Sequence, residues 1–249
     1  MRRQIEWLKP KYVIPFASFV YFSHVENFYL NDSINDIAAT LNAIASCDCR
    51  PIVMKPRDEW TVGSAWDNRD AVAYWQDAYS KIAMLPRREV NKPVGLAELG
   101  AHCRLYQERV FKKNSKWLMR LASMLSPVAA FQPLAIRLSD LNITVRFSFF
   151  DDLRETVRGV SPDVEMSSDS LDFIFLNEFG YDTLTVNGRF EASTRGFGLM
   201  TKNFAVGSLN ALGLGLKPSL VANTDVVFLL LGKLRSFLRR MDRSSPAAR

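Results

Sequence analysis

The sequence predicts a chain of mixed α and β structure, α/β in its first part and α+β in its second. Before residue 86, short apolar runs typical of buried strands alternate with segments of helical period. After residue 95, a long helical segment leads into strands in which apolar and polar residues alternate. Residues 86–95 contain two prolines and mostly polar side chains, so we interpret them as a linker between two domains.

The first domain, residues 1–85, is organised around a short strand and the loop that follows it. Residues 12–14 are β-prone and apolar, and Pro15 ends the run because proline has no N–H for a ladder. Apolar spacing predicts a helix over residues 34–45, for which Asn31, Asp32 and Ser33 offer capping side chains. Two further elements are predicted, a buried strand over residues 51–54 and a helix over residues 67–85.

The loop after the first strand presents His24, which is the main candidate site residue. A histidine just beyond a buried strand is a common way to build a metal or acid/base site. The alternative is a partly buried loop histidine with no chemical role. Asp58 and Glu59, which follow the second strand, are favoured as a solvated turn over a second site segment.

Residues 13–19 (Val-Ile-Pro-Phe-Ala-Ser-Phe) and 23–29 (Ser-His-Val-Glu-Asn-Phe-Tyr) carry a resemblance. They resemble the C-terminal part of a metallo-β-lactamase-fold hydrolase, in the branch of CMP-N-acetylneuraminate hydroxylase-like proteins. The resemblance implies half of an αββα fold and a divalent metal, zinc or iron, with His24 as one ligand. Most ligands of that family lie in a His-x-His-x-Asp-His motif, which this chain, with two histidines, lacks.

Zinc needs three or four converging protein ligands, and the histidines of this chain cannot supply them. We therefore expect a fragment of a metal-dependent hydrolase, inactive alone and holding no metal by itself. A separately encoded N-terminal half is the expected partner. Whether the chain acts as an enzyme remains open at this point.

The second domain is predicted over residues 96–222. A helical pattern covers residues 96–126 and includes His102, which we interpret as structural because His102 and Cys103 point about 100° apart on a helix. Strands are predicted over residues 133–140, 143–149 and 163–167, followed by a helix that Ser168 and Asp169 cap. Residues 180–190 alternate like a strand and contain an Asn187-Gly188 turn.

This order, ending in Asn-Gly-Arg-Phe at residues 187–190, resembles a sterol-carrier (SCP2-like) domain. The resemblance implies a lipid-sized tunnel between the apolar helix and the sheet. The alternative, which the residue types favour, is a small α+β domain with a filled core. Gly213-Leu-Gly215 lacks the third glycine and the preceding strand of a dinucleotide site.

Residues 223–249 are predicted to form a C-terminal helix and tail with a basic polar edge. Lys233, Arg235, Arg239 and Arg240 could contact an anionic membrane surface, or could be the solvated edge of a packed helix. Most of the net charge of +6 lies in this segment, so we expect no nucleic-acid partner. Three cysteines without a disulfide pattern, no signal peptide and no spanning run predict a cytoplasmic protein, with a peripheral membrane position open.

Three functions follow from these observations. The first is a remnant of a metal-dependent hydrolase, with His24 as the contributed ligand. The second is a module that binds a lipid or a membrane surface through the second domain. The third is an interaction subunit that completes a split hydrolase, because the edge of a divided sheet is a template for pairing.

Overall fold

A computed structural model describes residues 2–16, 19–89, 92–124, 130–157 and 159–221 of the 249-residue chain. The chain divides into two compact units, residues 1–89 and 90–249. Both units contain helices and strands, so the prediction of a mixed α/β protein is confirmed at that level.

The first unit contains a parallel pair of short strands joined by a helix. β1 (Tyr12–Val13) pairs with β2 (Arg50–Pro51), and Tyr12 lies opposite Arg50. Parallel strands need a crossover connection, and α2 (Ile37–Ala45) lies within it. Both strands are shorter than predicted. The other elements of the unit are α1 (Arg2–Leu8), a 3₁₀ helix (Phe28–Ser33), α3 (Arg69–Ser80) and a second 3₁₀ helix (Ile82–Met84).

The start of α2 corrects the predicted cap. The N-cap is Asp36, whose carboxylate accepts a hydrogen bond from the Ala39 N–H at 2.7 Å. Residues 31–33 instead belong to the 3₁₀ helix Phe28–Ser33, where the Asn31 amide bonds other parts of the loop. The prediction failed because several capping side chains precede the helix, and tertiary contacts use the earlier ones elsewhere.

The second unit is built on a five-stranded mixed sheet with the order β5-β4-β3-β6-β7. Its strands are β3 (Leu134–Leu138), β4 (Ile143–Phe147), β5 (Arg154–Glu155), β6 (Val164–Met166) and β7 (Glu191–Ala192). β3 and β4 form the predicted antiparallel hairpin, and Leu134 pairs with Phe147. β6 lies parallel to β3, and the crossover that this requires contains β4 and β5. β7 pairs antiparallel with β6, and two helices, residues 168–176 and 180–187, lie between these strands.

One face of this sheet is buried and the other is solvated. Leu134, Ile136 and Leu138 are fully buried at alternate positions of β3, as the predicted alternation requires. Helices α4 (Leu96–Lys113), α6 (Ser168–Leu176) and α8 (Thr194–Ala211) contribute to the same core. Five aromatic rings fill the space where sheet and helices meet: Tyr106, Phe147, Phe149, Phe175 and Phe204.

The aromatic core has a consequence for the expected tunnel. The rings of Phe147 and Phe204 lie 4.8 Å apart, and Tyr106 contacts both of them. Side chains therefore occupy the region between sheet and helices in which the sterol-carrier resemblance would place a tunnel.

The helical pattern over residues 96–126 is two helices rather than one. α4 ends at Lys113, and α5 (Lys116–Met124) begins three residues later. Asn114 between them is extended, with φ −130° and ψ 142°, and its buried amide donates to the Val110 carbonyl at 2.7 Å. The side chain thus bonds a carbonyl in the last turn of α4.

The segment after β6 contains two further corrections. The N-cap of α6 is Ser167, one residue earlier than predicted, and it accepts from the Ser170 N–H. The strand predicted over residues 180–190 is α7 (Gly180–Asn187), which ends where Gly188 adopts a left-handed conformation with φ 62°. Tyr181 and Leu184 are buried at helical spacing, so packing overrides the β-propensity of the Thr-Leu-Thr-Val run. The last described element is α9 (Pro218–Val221).

Candidate functional sites

The loop that carries His24 is fixed by backbone hydrogen bonds on both sides. The Arg88 N–H donates to the Ser23 carbonyl at 2.8 Å, and the Val25 N–H donates to the Arg88 carbonyl at 2.9 Å. The His24 N–H donates to the side-chain oxygen of Asn27 at 3.0 Å, and Asn27 is buried. The backbone therefore holds the half-buried His24 in one position rather than on an open loop.

A second amide holds the start of the same loop. Asn31 accepts from the Phe22 N–H and donates back to the Phe22 carbonyl, both at 2.8 Å. Its amide nitrogen also reaches the Phe28 carbonyl at 2.7 Å. The role of neither amide in this loop was predicted from the sequence, although both asparagines follow the histidine at short spacing, which was the available signal.

Contacts between charged side chains hold the loop that follows β2 in place. Lys55 bonds Asp58 at 3.0 Å and also contacts the Asp70 carboxylate. The backbone N–H of Lys55 also donates to Asp58, and this bond and the ammonium lower the pKa of that carboxyl from its ordinary value. Asp58 is therefore engaged within a turn, while Glu59 is exposed.

The first unit does not supply a ligand set for a metal within its described part. Zinc requires three or four ligands at about 2.0–2.3 Å. Among residues 2–16, 19–89, 92–124, 130–157 and 159–221, no three His, Cys, Asp or Glu side chains lie close enough to hold one ion. The described residues therefore do not fit a complete zinc or iron centre around His24, and we derive no chemical step through such a metal.

His102, the second histidine, links two helices of the second unit. Its Nδ1 lies 2.6 Å from Oδ1 of Asp172 on α6, and both side chains are largely buried. The neighbouring Cys103 is fully buried, and burial raises the pKa of its thiol to about 12, so the thiol is neutral at physiological pH. This arrangement supports the structural interpretation of His102. The partner Asp172 was missed in the sequence, where it lies within an apolar helix.

An apolar concavity lies along α8, and we call it the α8 groove. Its volume is about 430 Å³, and its lining is predominantly apolar. The residues that line it are Asn114, Phe131, Thr201, Lys202, Ala205, Val206, Leu209, Asn210, Leu214, Gly215 and Leu216. Val206 belongs to the buried core and Ala205 packs against it, whereas Leu209 is 46% exposed. The groove therefore runs along the edge of the core, and Leu209 presents an exposed apolar side chain to it.

One end of the α8 groove is a turn held against the junction of α4 and α5. Asn114 accepts from the Leu216 N–H at 2.8 Å and donates to Asn210 at 2.6 Å. The Ser115 N–H donates to the Leu216 carbonyl at 2.7 Å. Gly215 approaches this junction so closely that a β-carbon would lie 2.3 Å from the Lys113 carbonyl oxygen. The Gly-Leu-Gly segment thus has a packing role at the end of the groove.

The side chain of Lys202 places a positive charge beside this apolar surface. Lys202 lines the α8 groove and is exposed, and it makes no ion pair with the residues that the structure describes. The hydroxyl of Thr201 is already engaged by Tyr181 at 2.6 Å. The α8 groove therefore combines an apolar lining with one ammonium group at its surface.

The predicted basic contact residues Lys233, Arg235, Arg239 and Arg240 lie outside the described residues. Among the helices that are described, none is both long and apolar enough to cross a membrane. Comparison with protein-family models, with curated proteins and with solved structures gave no match.

Proposed function

We propose that the second unit binds a long-chain amphiphile with an acidic head group, such as a fatty acid, in the α8 groove. The observation that carries the proposal is the predominantly apolar lining of the groove beside an exposed lysine. An acyl chain would cover the exposed apolar surface of Leu209 and Leu214, and Lys202 would pair with the head group.

The size of the α8 groove suits this ligand class. Its 430 Å³ falls within the range of about 300–1,000 Å³ found for small-molecule sites. Each methylene transferred from water into such a site contributes about 0.8 kcal/mol. The ligand class is the one that the sterol-carrier resemblance implies. The proposed location differs, because aromatic rings occupy the interior between sheet and helices.

The test is a fluorescence titration of the full chain with cis-parinaric acid, a fatty acid that brightens in apolar surroundings. Leu209→Glu places a carboxylate in the groove and should weaken binding at least about tenfold, since burying an unpaired charge is costly. Leu105→Glu is the matched control, because Leu105 is also an exposed helical leucine but does not line the groove. Equal binding by wild type and Leu209→Glu contradicts the proposal.

The head group is tested by comparing a fatty acid with the corresponding alcohol. We expect the wild type to prefer the acid by about two- to fivefold, the range of an exposed ion pair. Lys202→Met should remove this preference while keeping the affinity for the alcohol. A preference that persists in Lys202→Met excludes Lys202 as the partner of the head group.

For the first unit we propose that His24 contributes one ligand to the metal centre of a metallo-β-lactamase-fold hydrolase. The remaining ligands would come from a separately encoded N-terminal half. Two observations support the proposal: the crossover between parallel strands β1 and β2, and the fixed backbone position of His24 in the loop that follows β1. Such a half would contribute one histidine from a loop whose backbone is held in place.

This second proposal is tested by titrating the chain with Zn²⁺. We expect weak binding that His24→Ala reduces and His102→Ala leaves unchanged, since His102 is already bonded to Asp172. Tight stoichiometric binding that survives His24→Ala contradicts the assignment of His24. Elemental analysis of the purified chain provides an independent measure of bound zinc or iron.

A further inference from the structure

We propose that α5 is a membrane-contact surface and that it brings the α8 groove to an anionic lipid bilayer. The inference rests on the proposed function of the groove and names the source of its ligand. The surface, which we call the α5 surface, consists of Trp117, Leu121 and Met124 with the flanking cations Lys116 and Arg120.

The apolar residues of α5 divide into two opposite sides. Leu118 and Met119 are buried in the second unit. Trp117, Leu121 and Met124 are 56%, 44% and 82% exposed, and their spacing of four and three residues aligns them on one side of the helix. A helix that buries one apolar side and presents a second to solvent is typical of a contact surface.

The residue types favour an interface with lipid. Tryptophan is enriched where one end of a ring is apolar and the other is hydrated, as at the boundary of a bilayer. The ammonium of Lys116 lies 4.9 Å from the centre of the Phe111 ring, and the guanidinium of Arg120 lies 5.4 Å from that of Phe150. Both cations are thus held on one flank of the apolar stripe.

Charge complementarity points to an anionic surface. The chain from Arg109 to Ser139 contains six basic residues and no acidic residue. Acidic groups do face Lys116, because Glu108, Asp151 and Asp152 line a cavity with it. Arg104 and Arg154 line the same cavity, so these acidic groups face further cations, and Arg120 makes no ion pair with the described residues. Basic side chains near anionic lipid strengthen binding by about fivefold each.

The α5 surface is close to the end of the α8 groove. Asn114 and Leu216 line the groove, the Ser115 N–H bonds the Leu216 carbonyl, and α5 begins at Lys116. Leu212 and Leu214, in and beside the turn that closes the groove, are 67% and 58% exposed. Exposed apolar side chains therefore flank this end of the groove. An acyl chain that leaves a bilayer contacted by α5 would meet the groove directly.

The test is co-sedimentation of the full chain with vesicles of phosphatidylcholine alone and with 30% phosphatidylglycerol, a composition of about physiological anionic charge. Trp117→Glu combined with Leu121→Glu should lower the partition coefficient at least about tenfold. The matched control combines Leu105→Glu with Val186→Glu, two exposed helical residues outside the α5 surface, and should stay within about twofold of the wild type. Circular dichroism verifies that each variant is folded.

Two further variants separate the contributions. Arg120→Gln should weaken binding to the anionic vesicles about fivefold and leave binding to neutral vesicles unchanged. A triple change of Arg235, Arg239 and Arg240 to Glu tests the C-terminal alternative. If that change abolishes binding and the α5 double variant does not, the α5 proposal is wrong.

The remaining outcomes are also decisive. Absence of vesicle binding by the wild type overturns the α5 proposal. A concentration-dependent dimer that dissociates in the α5 double variant also overturns it, because the α5 surface would then be an interface with a second copy of the chain. The proposal that the α8 groove binds a fatty acid is tested separately, by binding of cis-parinaric acid in the absence of vesicles. Loss of vesicle binding with retained fatty-acid binding leaves the groove intact, so the two proposals can fail independently.

Discussion

The two units of the chain achieve order by different means. In the second unit, a continuous cluster of buried residues joins a sheet to its helices around five aromatic rings. In the first unit, the buried cluster described consists of Ile5, Ile44 and Cys49, and much of the loop structure is held by side-chain amides and charges. The stability of the first unit should therefore be more sensitive to the loss of single polar groups, and that of the second unit to the loss of single apolar groups.

The largest effect in this comparison is expected at the centre of the aromatic core. Phe147→Ala removes a fully buried ring that contacts Tyr106, Phe149, Phe175 and Phe204. We expect a loss of about 3–5 kcal/mol in the free energy of unfolding of the second unit, measured by urea denaturation. The control is Phe173→Ala, because Phe173 is 38% exposed on α6 and should cost far less. Equal losses would show that the cluster does not dominate the stability of this unit.

A smaller effect is expected from one amide of the first unit. Asn68 accepts from the Val53 N–H at 2.7 Å and from the Trp66 indole at 3.1 Å, and donates to the Pro51 carbonyl at 2.9 Å. Asn68→Ala leaves these partly buried groups without that partner, so we expect a loss of about 1–3 kcal/mol. Four of the five tryptophans lie in this unit, so thermal unfolding of a Trp117→Phe background reports on it by fluorescence.

The control for Asn68 is Asn42→Ala, an exposed position on α2. It should shift the free energy of unfolding by no more than about 0.5 kcal/mol. A loss at Asn42 as large as at Asn68 would mean that the amide network contributes little. Contacts other than the side-chain amides would then stabilise the first unit.

The contrast explains how much of the fold could be predicted from the sequence. The β3–β4 hairpin was predicted correctly because its alternation reflects burial on one side of a sheet. The strand predicted over residues 180–190 was wrong, because only tertiary packing shows that Tyr181 and Leu184 share a buried helical face. The single helix predicted over residues 96–126 is broken at Asn114, whose side chain bonds residues that are 96 and 102 positions away in the sequence. Local patterns predict elements, whereas long-range polar contacts decide where they end.

Prediction of the candidate sites is limited in the same way, because long-range contacts form them. His24 was singled out from the sequence because it follows a predicted buried strand, but the roles of Asn27 and Asn31, which fix its loop, were not predicted. The α8 groove could not be predicted either, since residues from four separate segments line it. A sequence shows apolar residues on α8 but not which of them line a groove together with distant segments.

A further effect is expected from the hydrogen-bonded pair of His102 and Asp172, which joins α4 to α6. A double-mutant cycle with His102→Gln and Asp172→Asn should give a coupling energy of about 1 kcal/mol, since the pair is largely buried and 2.6 Å long. The matched pair is Arg104 and Asp152, which are exposed and 4.0 Å apart and should couple by less than about 0.5 kcal/mol. Indistinguishable couplings would contradict a structural role for His102.

The smallest effect is a pH dependence in the first unit. Hydrogen bonds from Lys55 lower the pKa of Asp58 below its ordinary value of 3.8, so the folded state favours the ionised carboxylate. The stabilisation is complete above the pKa of the unfolded chain and is lost as pH falls through the lower, folded pKa. The melting temperature of the Trp117→Phe variant, followed by fluorescence from pH 5 down to about pH 2, should therefore fall more than that of the same variant with Asp58→Asn. Parallel pH profiles would mean that the bonds to Lys55 do not contribute to the stability of this unit, and that its loops depend on uncharged amides alone.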